Sequence, residues 1–178
     1  MATKKRRKSN DKQTAYHEAG HAVASLELGV NFGVVSIIRG ADGTAGRVSV
    51  EGDDGYFPLP GTDPHSLKSK AGYQRWAEEQ AVIDYAGHAA VVVLLGIGSM
   101  SETSAEGFGA GPDFLKARNR LDRDRERVKK AKARAVEIIT ARRDDVRKVA
   151  DDLRKRGKIS SQRVDFLLTD SPLLADCE

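Results

Sequence analysis

The stretch Thr14-Ala15-Tyr16-His17-Glu18-Ala19-Gly20-His21-Ala22-Val23 decides how this chain is read. Around it, Ala15, Ala19, Ala22, Val23 and Leu26 recur at spacings of three and four, and Gly29 supplies a stop, which predicts one helix from Asp11 to Leu28. Within that helix His17-Glu18-Ala19-Gly20-His21 is an HExxH sequence. Histidines at i and i+4 leave a helix on the same face, about one turn apart. Their imidazoles can converge on one Zn²⁺, with Glu18 beside them to handle the proton of an activated water. Ala15, Ala19, Gly20, Ala22 and Val23 around the motif are small enough for a second element to pack closely and keep the site dry.

Working outward, Val34 to Arg39 and Arg47 to Glu51 read as short strands joined through Gly40, Asp42, Gly43 and Gly46, a hairpin or small sheet. Pro58, Pro60 and Pro64 mark residues 52–66 as an irregular loop. A long helix is expected from about Leu67 to Leu95, with Ala81, Tyr85, His88, Val92 and Leu95 on one buried stripe. Gly96 to Gly111 reads as a flexible connection, and Pro112 suits the first turn of the next helix. The last large element, Asp113 to Lys155 with room for a bend near Ala141, keeps Leu121, Val128, Ala131, Ala135, Ile138, Val146, Val149 and Leu153 inside. A short helix from Ser160 to Leu168 follows Gly157. The expected fold class is therefore mainly α with a small β-hairpin or sheet. Its parts are a disordered basic arm over residues 1–10, one domain over 11–170, and a tail over 171–178.

At 178 residues there is room for one core. Aromatics are only 6% of the chain, so that core must be built mainly from Ala, Val, Leu and Ile. The longest uncharged apolar run, Ala89 to Gly98, is about half of the roughly 20 residues a membrane-spanning helix needs. Lys4 to Lys8 are not followed by an apolar segment, and Cys177 is the single cysteine, so no signal peptide or internal disulfide is expected and the chain is placed in the cytoplasm. The net charge of +4 hides a segregation. Residues 1–8 carry +5, residues 9–115 carry −8, residues 116–158 carry +10 and residues 159–178 carry −3.

A catalytic zinc site takes a third protein ligand and leaves one position open. His88, Asp113, Glu102 and Glu106 are the candidates. His88 lies on the apolar stripe, where a histidine is usually a satisfied interior residue. Asp113 begins a helix, where a carboxylate also complements the helix dipole. Spacing alone leaves the choice open.

The stretch around HExxH resembles the zinc helix of the peptidase domain of FtsH-type ATP-dependent metalloproteases. Val34-Val35-Ser36-Ile37-Ile38-Arg39-Gly40 is similar to that family's next strand, and Ala86-Gly87-His88-Ala89-Ala90 to its GGRAAEE segment. Gly109-Ala110-Gly111-Pro112-Asp113-Phe114 is similar to its GAxxD pattern, and Gly157-Lys158-Ile159-Ser160 to the turn before its last helix. The resemblance covers most of residues 12–168 and implies that His17, His21 and Asp113 ligate Zn²⁺ while Glu18 is the catalytic base. There are departures: Val91 and Val92 stand where the family has glutamates, His88 replaces its arginine, no G-x-x-x-x-G-K-[ST] phosphate loop occurs in these residues, and neither an unfoldase domain nor a membrane anchor is expected.

The expected function is that of a zinc-dependent endopeptidase acting on unfolded or flexible polypeptides. An extended substrate would pair with the edge of the Val34 to Arg39 strand. A separate ATPase or adaptor, and a second copy of the chain, are candidate partners. The alternative is a weakly active or inactive zinc-binding adaptor or regulatory protein, with nucleic-acid contacts through its basic segments. Nucleic acid is the weaker partner, because the basic residues alternate with Asp and Glu and lack aromatics for stacking.

Overall fold

The computed structural model describes residues 2–38, 47–49 and 70–169, with side chains at the start of the chain described from Lys12 onward. Seven helices and one small sheet follow in the order α1 (Ala2–Glu27), β1 (Val34–Ser36), β2 (Arg47–Ser49), α2 (Lys70–Leu95), α3 (Glu102–Gly107), α4 (Gly111–Arg120), α5 (Arg125–Ala141), α6 (Arg143–Arg156), β3 (Lys158–Ser160) and α7 (Ser161–Thr169). The architecture is mainly α with a small antiparallel sheet, as the sequence predicts. The loop expected over 52–66 and the tail over 171–178 lie outside the described residues.

Helix α1 begins at Ala2, well before the expected Asp11. Once its packed part is formed, extension through the helix-favouring Lys and Arg residues costs little. Its end is a Schellman turn at Gly29 (φ +68°): Val30 N–H donates to the Ser25 carbonyl at 2.7 Å and Gly29 N–H to that of Leu26 at 3.1 Å.

Helix α2 is the centre of the molecule, packed by α1, α4 and α5, while α6 covers the other side of α1. The expected stripe is too narrow a description: Gln80 through Val91 are buried without a break, charged Asp84 included. Helices on several sides leave this segment no solvent face. Its partner α1 presents Ala15, Ala19, Ala22, Val23 and Ala24, all fully buried. A Cβ on Gly20 would stand 2.5 Å from the Ala86 carbonyl oxygen and 2.8 Å from Ala90 Cβ, so the two helices approach as closely as only a glycine permits.

Two expectations change. The Gly96–Gly111 connection contains α3, started by Ser101, whose hydroxyl accepts from Ser104 N–H, and flanked by left-handed Gly98 and Gly109. The long element after Pro112 is three helices, broken at 121–124, where Asp124 caps α5, and again at Arg142, close to the expected bend at Ala141. Its interior is as predicted, with Leu121, Ala131, Ala135, Ile138, Val146, Val149 and Leu153 buried and Val128 partly so.

The sheet order is β2-β1-β3, all antiparallel. Strand β1 is therefore central: Val35 pairs with Val48 on one side and with Ile159 on the other. The expected substrate edge along Val34–Ser36 is occupied on both sides, because the turn at Gly157 (φ +77°) folds Lys158–Ser160 back as a third strand. That strand has too short an apolar pattern to be seen in the sequence.

Candidate metal centre

Each face of the site follows from its helix. His17 and His21 are one turn apart on α1, with ring centroids 4.6 Å apart and planes at 86°. Asp113 stands in the first turn of α4, the turn that Gly109 and Pro112 set. Three atoms converge. His17 Nε2 lies 3.0 Å from His21 Nε2 and 3.1 Å from Asp113 Oδ2, and His21 Nε2 lies 3.6 Å from the same oxygen. These residues form a group that could hold a metal ion.

The donor set fits such an ion. With metal–ligand bonds near 2.0–2.1 Å, neighbouring ligands of a tetrahedral centre stand about 3.3 Å apart. The three separations, 3.0, 3.1 and 3.6 Å, bracket that value. Tautomer is also set: His21 Nδ1–H donates to the Ile83 carbonyl of α2 at 2.7 Å, which directs Nε2 at the cluster. Gly87 makes this bond reachable, since a Cβ there would collide with the His21 imidazole. The glycine one turn after the accepting carbonyl thus opens a slot for the ring.

Electrostatics follow the same geometry. Burial works to raise the Asp113 carboxyl, but the hydrogen bonds and charges of His17 and His21 overcome it and hold Asp113 far below the usual carboxylate range. Burial works to lower His21, yet its bond to Asp113, helped by Glu18 and the Ile83 carbonyl, pushes it up to about 9. Glu18 is 6% exposed, and burial raises its carboxyl above the ordinary value against the pull of the two imidazoles. Lys116 Nζ approaches Asp113 Oδ1 at 3.4 Å from the open side.

Of the four residues proposed as a third ligand, only Asp113 is in this group. His88 is fully buried, with Nε2–H donating to the Ser99 carbonyl at 2.8 Å and its ring edge-on to Phe114. Glu102 pairs with Arg118 at 2.7 Å. Glu106 lines a groove of about 390 Å³ with Leu115 and Arg118, on the face of α4 turned away from Asp113. Ile83 carries no sequence signal, because its contribution is a backbone carbonyl, and Gly87 is marked in the sequence only by the resemblance.

Among the described residues no helix is long and apolar enough to cross a membrane. Compared with known protein families and with curated proteins, the chain matches none.

Proposed function

We propose that the chain is a zinc-dependent endopeptidase acting on unfolded or flexible polypeptides, with His17, His21 and Asp113 as zinc ligands and Glu18 as general base. The observation that carries this reading is the meeting of two Nε2 atoms and one carboxylate oxygen at tetrahedral spacing, directly beside a buried glutamate. Two imidazoles and one carboxylate are a ligand set typical of catalytic rather than structural zinc, because the fourth position stays open. An ion bound there would supply Lewis acidity toward a peptide carbonyl and acidify a water molecule.

The chain's own groups do the rest. Asp113 and the two histidines fix the ion's place, and the Ile83 carbonyl keeps the His21 ring from turning. Glu18 takes a proton from the attacking water as the C–O bond forms and returns it to the amine nitrogen as the C–N bond breaks. Burial favours this role, since it raises the carboxyl above its ordinary value and so makes it a stronger proton acceptor. The resemblance of HEAGH and GAGPD to the FtsH-type peptidase motifs supports the same roles. Peptides and flexible segments are the substrates proposed, with a separate ATPase or adaptor as a candidate partner.

Glu18→Gln tests the assignment. Zinc content by elemental analysis stays at the wild-type level while hydrolysis of casein or a peptide library is lost; an unchanged rate would refute the role of Glu18. Zinc retained in a wild-type chain that cleaves nothing would favour the adaptor alternative.

A further inference from the structure

The buried Asp84 and the partly exposed Arg120 beside it are charged residues that the proposed chemistry does not use. Arg120 Nε–H donates to Asp84 Oδ2 at 3.0 Å, with the Asp84 side chain 4% exposed and that of Arg120 21%. We infer that this pair is a positioning device for the metal centre, locking the helix that carries Asp113 to the turn of α2 that holds His21. The inference rests on the metal-centre reading above.

The geometry is specific. Asp113 and Arg120 are seven residues apart on α4, two turns, and so share one face of that helix. Ile83 and Asp84 are neighbours on α2. The first offers its carbonyl to His21 on α1, and the second offers its carboxylate to Arg120 on α4. One turn of α2 therefore fixes two of the three ligands, one through the Ile83 carbonyl and the other through the ion pair of Asp84 with Arg120. Helix α4 needs such a lock. It has only ten residues, its N-cap Ala110 supplies no side-chain hydrogen bond, and it follows the left-handed Gly109. Burial of Phe114 and Ala117 holds it against the core, but apolar contacts tolerate small rotations that a directed ion pair does not. Rotation about the α4 axis would carry Asp113 Oδ2 away from the imidazoles. The Arg120 guanidinium also lies 5.4 Å from the Trp76 ring, which holds the other end of the lock on α2.

Co²⁺ titration of the full chain, read by visible absorption, tests the pair. Wild type is expected to give a tetrahedral cobalt band. Asp84→Asn, which leaves the part-exposed Arg120 able to hydrate, is expected to weaken cobalt binding roughly ten-fold and to shift the band toward that of Asp113→Ala. Arg120→Gln should do the same, and the double variant should lose no more than either single change, because the two side chains act as one link. Losses that add in the double variant, or a band and affinity unchanged in Asp84→Asn or, should that variant not fold, in Arg120→Gln, would overturn the inference. A wild-type chain that binds no cobalt would instead sink the metal-centre reading itself.

Discussion

His21 and His88 are both buried, both lie on packed helices, and both bond a backbone carbonyl through one ring nitrogen, yet their second nitrogens meet opposite surroundings. At His21 the bond from Nδ1 to Ile83 leaves Nε2 facing His17 and Asp113. At His88 the bond from Nε2 to Ser99 leaves Nδ1 buried with no hydrogen-bond partner among the described residues, beside the rings of Phe108 and Phe114. Burial lowers the basicity of both; at His21 the Asp113 carboxylate reverses the effect, and at His88 the single Ser99 carbonyl does not. What distinguishes a metal ligand from a core histidine is thus the second nitrogen and what it is aimed at.

The sharpest way to break this contrast is to truncate each ring. His21→Ala should abolish stoichiometric zinc binding and all hydrolysis. His88→Ala should keep the zinc and cost about 2–4 kcal/mol in denaturant unfolding, as a cavity beside Phe114. Zinc loss in His88→Ala would erase the distinction. Next in size, Glu18→Gln should lower the hydrolysis rate about 10²–10⁴-fold with the zinc retained, separating the ligands from the base beside them.

Gly87→Ala sits between the two histidines in sequence but touches only one. The new methyl group would push the His21 ring off the Ile83 carbonyl, so a loss of metal affinity on the order of 10–100-fold is expected by competition with a chelator, with the environment of His88 unchanged. The contrast also has a pH signature in the chelator-treated protein. His21 titrates near 9 when folded against an ordinary 6.5, so its contribution, about 3 kcal/mol, is fully present below pH 6.5 and lost as pH rises through 9. His88 has the opposite sign: its folded value lies below 6.5, so stability falls as pH drops below 6.5 and the unfolded chain takes up the proton. Unfolding curves at pH 5, 7 and 9.5 check both limbs, with His21→Gln flattening only the alkaline one.

The sequence reveals the metal centre better than the surroundings that hold it. HExxH encodes its geometry in spacing alone, because four residues make one helical turn, and the alanine pattern of α1 announces a close neighbour. Asp113 could not be separated from His88 by pattern, since both lie on helices at positions consistent with burial; the resemblance favoured Asp113, and the structure brings it to the imidazoles. Ile83 is invisible to such reasoning, because any residue offers a carbonyl. Strand β3 is missed because three residues pairing with a distant strand carry no periodic signature. The break at 121–124 is missed because Asp122 and Arg123, left-handed in the structure, sit in a charged run that reads as helix.

The partners His17 and Asp113 are 96 positions apart along the chain. An ion shared by them would act as a staple across more than half of the polypeptide. It would withdraw loop freedom from the unfolded ensemble much as a disulfide does, and it could be captured only after α4 has docked. Metal would then be a late reporter of folding, arriving once the chain's far halves have found each other.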